Sequence, residues 1–307
     1  MTNRWVVYQR ERFPIAAHAP LIAAFSASAV CFSSLARGHV AVPPLSSLLV
    51  AFATSLLFFL QLRIADEMKD AEEDARFRPY RPVPRGLVTL RELRAIGVAA
   101  AVIQLVLALW LDRALVWLLV VPWAWVLLMT QEFFAPRWLR SHPIVYMTSH
   151  MVVLPLVDLY ATACDWRVAG QTSAPAGLVW FLAVSYLNGV VVEIGRKTRA
   201  PIDEEHGVET YSALWGPRRA AHVWLLAVFM TATAAGVAAT RIGTDRTVLL
   251  LLGSLVGVCG VVALRFANDT RRGAGKSVEV MAGVWTLLMY VGLGAAPLAL
   301  TLWRDLP

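Results

Sequence analysis

Nine apolar runs dominate the sequence, at roughly 18–36, 44–64, 92–111, 114–131, 143–161, 176–196, 219–239, 247–265 and 279–303. Each approaches the ~20 residues that a helix needs to cross a bilayer. Short turns around Asp112-Arg113 and Gly243 separate two of the pairs. Composition agrees: 58% of residues are hydrophobic, only 16% are charged and mean hydropathy is +0.60. The fold class that follows is an all-α integral membrane protein, a single transmembrane domain over 1–307, not a water-soluble enzyme. Cys31, Cys164 and Cys259 lie far apart with no C-x-x-C spacing, so neither a zinc site nor a disulfide framework is expected.

Lys and Arg set the expected orientation. With the N-terminus inside, 22 of the 28 basic residues fall in inside loops; Arg37, Arg113, Arg167, Arg241, Arg246 and Arg304 fall outside. The N-terminus is therefore expected in the cytoplasm, and the protein in the bacterial inner (cell) membrane. No signal-peptide cleavage site follows the first run. Basic loops beside anionic lipid account for the net charge of +7, so no nucleic-acid partner is implied. Residues 1–17 alternate Trp5, Val6, Val7, Tyr8 and Phe13 with arginines, as an interfacial segment does.

The second run ends in six acids within nine residues: Asp66, Glu67, Asp70, Glu72, Glu73 and Asp74. Asp66, Asp70 and Asp74 are spaced i, i+4, i+8, so a continuing helix carries them as one stripe with Glu67 at its edge. Like charges on one face repel, and a hard divalent cation reverses that penalty. A solvated acidic helix end is the plainer alternative. Next comes Arg78-Pro79-Tyr80-Arg81-Pro82-Val83-Pro84-Arg85-Gly86, expected to be extended and stiff because proline excludes helix from the preceding residue. Its arginines suit phosphate oxygens. Thr89 and Glu92 form a capping box for the third run.

DEMKDAEED followed by RPYRPVPRG resembles the first signature of the UbiA superfamily of intramembrane prenyltransferases, N-D-x-x-D-x-x-x-D then K-P-x-R-P-x-P-x-G. Asp66 and Glu67 replace the first two residues, Arg78 replaces the Lys, and Asp70, Asp74, Arg81 and Gly86 match. The family's second signature is a D-x-x-x-D ending the sixth helix. The corresponding stretch, NGVVVEIGRKTRAPIDEEHGVETYSALWG, departs from it. Gly207, Thr210 and Gly216 fit the tail. One register uses Asp203 as the last acid and leaves Arg199 at the first position. The preferred one uses Glu193 and Lys197, so that one carboxylate has become a lysine. Glu193 and Lys197 are equally placed for a simple i, i+4 ion pair. Between the fourth and fifth runs the family often places a Tyr and a Lys or Arg, which points to Arg137 or Arg140. His150 is an intramembrane polar residue, open to function or to helix-to-helix bonding.

The resemblance implies a nine-helix bundle around a central cavity open to the cytoplasmic side, with loops 65–91 and 197–218 over it. It implies an isoprenyl diphosphate substrate, Mg²⁺, and a hydrophobic or aromatic acceptor. The implied metal ligands are Asp66, Glu67, Asp70, Asp74, Glu193 and Asp203; the implied diphosphate contacts are Arg78, Arg81, Lys197 and Arg137. Two other functions remain open: a cyclase of the same fold, in which the prenyl chain is its own acceptor, and a non-catalytic ion-binding membrane protein.

Overall fold

The computed structural model describes residues 3–205, 208–244, 246–269 and 271–304. They form helices and no strands. In chain order the helices are α1 (Arg4–Arg12), α2 (Ile15–Ala36), α3 (Leu45–Lys69), α4 (Ala71–Phe77), α5 (Leu90–Leu111), α6 (Leu115–Thr130), α7 (Pro136–Arg140), α8 (Pro143–Met151) and α9 (Val153–Trp166). There follow α10 (Leu178–Arg196), α11 (Tyr211–Trp215), α12 (Pro217–Thr240), α13 (Arg246–Ala267), α14 (Gly275–Leu293) and α15 (Ala295–Arg304). Among the described residues eight helical segments are long and apolar enough to cross a membrane, α8–α9 and α14–α15 each counting as one. The remaining expected run, 114–131, is the shorter apolar helix α6. The α8–α9 break falls at Val152, where Pro155 has no N–H to give to the carbonyl of Met151.

α2, α3, α5, α6 and α9 pack as one group, and α10, α12, α13 and α14 as another; α2 joins α14, and α9 joins α10, between them. Small residues permit close approach. A Cβ at Gly275 would stand 2.2 Å from the Thr198 carbonyl oxygen, and one at Gly294 would stand 2.2 Å from that of Ser28. Phe25, Phe32, Phe181 and Tyr290 fill the middle of the bundle, Tyr290 edge-on to both Phe25 and Phe181. At one end, Arg37 on the loop after α2 grips buried Asp165 of α9 with two nitrogens, at 3.0 and 2.8 Å, and Ser33 donates to the same carboxylate.

The other end carries the acidic and arginine-rich motifs. Three local features there differ from expectation. α1 is docked on protein: Tyr8 is buried against Ile64, Val88 and Leu93. The acidic helix is broken, because α3 stops at Lys69 and α4 restarts at Ala71. The proline-rich loop is a series of turns, not an extended strap, with Arg81, Arg85 and Gly86 donating to the carbonyls of Arg78, Arg81 and Val83. Proline's fixed φ sets up turns as readily as extended chain. The Thr89–Glu92 capping box forms as expected.

Candidate active site

α3 delivers Asp66 and Asp70 to the motif end one helical turn apart. Asp66 is exposed and 3.7 Å from Arg63. Asp70 sits in the α3–α4 joint, half-buried, 4.0 Å from the ammonium of Lys69. Burial raises the Asp70 pKa; Lys69 lowers it, while Asp66, Asp74 and Glu73 raise it further. A carboxylate held in this way gains most from a cation that neutralises its surroundings.

The other two acids of the motif are turned away. Glu67, 1% exposed, faces α1 and takes a hydrogen bond from Arg12. The break at Asp70 carries Asp74 off the stripe and under the arginine loop. There it is 2% exposed and accepts from Arg78 at 2.9 Å and Arg81 at 2.7 Å. The hydrogen bond to Asp74, opposed by burial, raises the Arg78 pKa. Asp74 therefore positions the two guanidiniums side by side. Glu67 and Asp74 thus each face basic partners of their own, whereas the resemblance implies both as metal ligands together with Asp66 and Asp70.

Facing them is the end of α10. Glu193 receives Arg196 at 2.6 Å and Lys197 at 3.0 Å. The Lys197 ammonium also lies 6.0 Å from the ring centre of Tyr146 and 5.8 Å from that of Tyr211. The Tyr211 N–H donates to the Lys197 carbonyl at 2.9 Å, which fixes where the lysine leaves the helix. From the α3 side, Lys69 hydrogen-bonds the Tyr146 hydroxyl and lies 5.0 Å from the same ring centre. One tyrosine thus receives an ammonium from each half of the bundle. Lys69, Tyr146, Arg196 and Tyr211 were not singled out from sequence. The family pattern pointed to a tyrosine and a basic residue between the fourth and fifth runs. Arg137 instead lies exposed on α7, and Arg140 lies 3.9 Å from Glu132. Tyr146, one turn into α8, is the residue that reaches the centre.

Asp203 is placed elsewhere. It accepts from the Gly273 N–H at 2.6 Å, tying its loop to the start of α14 beside a polar cleft of about 520 Å³. Glu204 binds the hydroxyls of Thr210 and Ser212. Thr210 caps α11, and Gly216 has the positive φ of 80° that favours glycine. Gly207 lies outside the described residues.

Among the described residues no three His, Cys, Asp or Glu side chains are grouped to enclose a metal ion. Mg²⁺ needs no such cage: it is usually held by one or two carboxylates together with substrate phosphates. Asp66 and Asp70 fit that chemistry. Glu193 does not, since both its neighbouring cations would have to be displaced.

The sequence matches the model of the UbiA prenyltransferase family over residues 21–285. No curated protein matches it. A UbiA homolog from Aeropyrum pernix K1 has a similar structure, with a TM-score of 0.67 at 17% identity over 89% of this chain and 96% of that one. A digeranylgeranylglyceryl phosphate synthase structure gives 0.62 at 13%, over 94% and 98%. A UbiA homolog from Archaeoglobus fulgidus, bound to DMAPP and Mg²⁺, gives 0.59 at 11%, over 93% and 98%. At these identities the structural likeness is one of fold. The family match covers most of the chain, both motifs included, and on it the chain belongs to the UbiA prenyltransferase family.

Proposed function

We propose that this chain moves an isoprenyl group from an isoprenyl diphosphate to a hydrophobic or aromatic acceptor, with Mg²⁺ and with the motif end in the cytoplasm. The observation that carries the reading is that two carboxylates, Asp66 and Asp70, lie at the same end of the bundle as the cations Arg78, Arg81, Arg196 and Lys197. The A. fulgidus homolog with DMAPP and Mg²⁺ bound supports it. Asp66 and Asp70 would hold the metal, which when bound neutralises diphosphate and makes it a better leaving group. Lys197 and Arg196 from one side, and Arg78 and Arg81 from the other, take phosphate oxygens. Asp74 holds the two loop arginines in place for that task. The apolar interior below receives the prenyl chain and keeps water from the cation-like carbon as the C–O bond opens.

The test is to incubate protein in lipid with Mg²⁺ and labelled prenyl diphosphates, with and without membrane extract as the source of acceptor. Acceptor-dependent diphosphate release and a prenylated product are expected. A cyclic hydrocarbon formed without acceptor would make the chain a cyclase. No turnover and no Mg²⁺-dependent diphosphate binding at any chain length would overturn the enzyme reading.

A further inference from the structure

The carboxylates of the two motifs suffice for one Mg²⁺. Such an ion is usually held by one or two carboxylates together with substrate phosphates, and Asp66 and Asp70 serve that need once. The other motif acids are engaged. Glu67 holds Arg12, and Asp74 holds Arg78 and Arg81. Each oxygen of Glu193 has its own cation: Oε2 takes Arg196 at 2.6 Å and Oε1 takes Lys197 at 3.0 Å. The end of α10 therefore offers no open carboxylate for a second ion, although a diphosphate has two phosphates to neutralise.

Ammonium groups stand there instead. Asp66, Lys69 and Asp70 share one face of α3, at i, i+3 and i+4. The Lys69 ammonium hydrogen-bonds the Tyr146 hydroxyl. Asp70, at 4.0 Å, lies beyond hydrogen-bond reach. An ammonium has three N–H donors, so among the described residues two of those on Lys69 have no acceptor. Lys197 comes to the same tyrosine from α10. The two ammoniums lie 5.0 and 6.0 Å from its ring centre. Their side chains are only 15% and 30% exposed, so water and salt screen their mutual repulsion incompletely. An anion placed between them relieves it.

We propose that Lys69 and Lys197 take the place of a second divalent cation. The prenyl diphosphate is then bound by one Mg²⁺, on Asp66 and Asp70, and by two ammoniums held beside Tyr146. This makes Lys69 a diphosphate-binding residue, and it deepens the transferase reading and rests on it. It also separates two contributions to affinity. The part that comes from the lysines survives removal of the metal.

The experiment uses the full chain in nanodiscs of zwitterionic lipid. The probes are geranyl and geranylgeranyl thiodiphosphate, analogues that resist ionisation. Mn²⁺, a paramagnetic substitute for Mg²⁺, is titrated in their presence, and the tightly bound ions are counted by electron paramagnetic resonance. One Mn²⁺ per chain is expected, and any other count overturns the proposal. Probe affinity is then measured in EDTA. The wild type should still bind, Lys69→Met should bind about tenfold more weakly, and Lys69→Arg, which keeps the charge, should recover most of the loss. No binding by the wild type in EDTA, or a Lys69→Met protein that binds as tightly as the wild type, overturns the proposal. A loss that Lys69→Arg leaves in place also overturns it, because Lys69 then serves only to hold Tyr146. If neither probe binds with Mg²⁺ present, the transferase reading falls as well; if a probe binds with two Mn²⁺, only the substitution of lysines for the second ion falls.

Discussion

Asp70 and Lys197 have opposite charges and separable tasks. Asp70→Ala removes half of the carboxylate pair that would hold the metal. Turnover should fall by about 10²–10³-fold, the loss typical of removing one charge-stabilising group, with the melting temperature nearly unchanged. An active Asp70→Ala protein would remove the metal role assigned to it. Lys197→Met should weaken prenyl diphosphate binding by about tenfold. If it changes only thermal stability, Lys197 serves its ion pair with Glu193 and nothing else. The raised Asp70 pKa has its own consequence. A carboxyl with a folded-state value above its unfolded one stabilises the fold at low pH, and that contribution is lost as pH rises through the folded value. A cation bound to the ionised form reverses the loss. The gain in melting temperature from Mg²⁺ should therefore grow as pH rises from the ordinary carboxylate range upward. A gain that is flat across that range, or larger in acid, would speak against Asp70 as a ligand.

Elements differ in how far their sequence announces them. The apolar spans and the capping box were legible because each depends on neighbours along one helix. Glu193 and Lys197 were legible as a pair for the same reason, and the structure pairs them. What stayed hidden lies between elements: Arg12 on Glu67, 55 residues away, and Lys69 on Tyr146, 77 residues away. No periodicity encodes those contacts. The joint at Asp70 was hidden as well, since the i, i+4, i+8 spacing describes an unbroken helix. Of these, α1 carries the clearest prediction. Arg12 and Glu67 are 13% and 1% exposed, so removing one partner leaves a buried charge alone, at a cost of about 3–5 kcal/mol. Arg12→Ala should lower the melting temperature, and adding Glu67→Gln should recover most of the loss. A double variant as unstable as the single one would mean that α1 acts through Tyr8 packing and not through the charge pair.

At the scale of the whole molecule, the two halves meet where their cations share Tyr146, which requires the chain to return to the motif end after α6. Arg4 of α1 pairs with Glu92 at the start of α5, so α5 leaves from that end. Tyr146 at the start of α8 touches Lys69 at the end of α3, so α6 has brought the chain back. α6 has 16 residues, about 24 Å of helix against a hydrocarbon core of ~30 Å, and a mismatch of that size is met by local thinning of the bilayer. We propose that the motif end faces the cytoplasm, because the loops assigned to that side hold 22 of the 28 Lys and Arg residues and a basic excess favours the cytoplasmic side. That orientation can be tested directly, because all three native cysteines are buried and buried thiols are inert. Glu72 is exposed at the motif end and Arg113 is exposed at the opposite end. A cysteine at Glu72 should react with an impermeant maleimide in inside-out vesicles only, and one at Arg113 in right-side-out vesicles only. The reverse pattern would place the diphosphate site outside the cell, away from the soluble prenyl diphosphate pool that the proposed reaction needs.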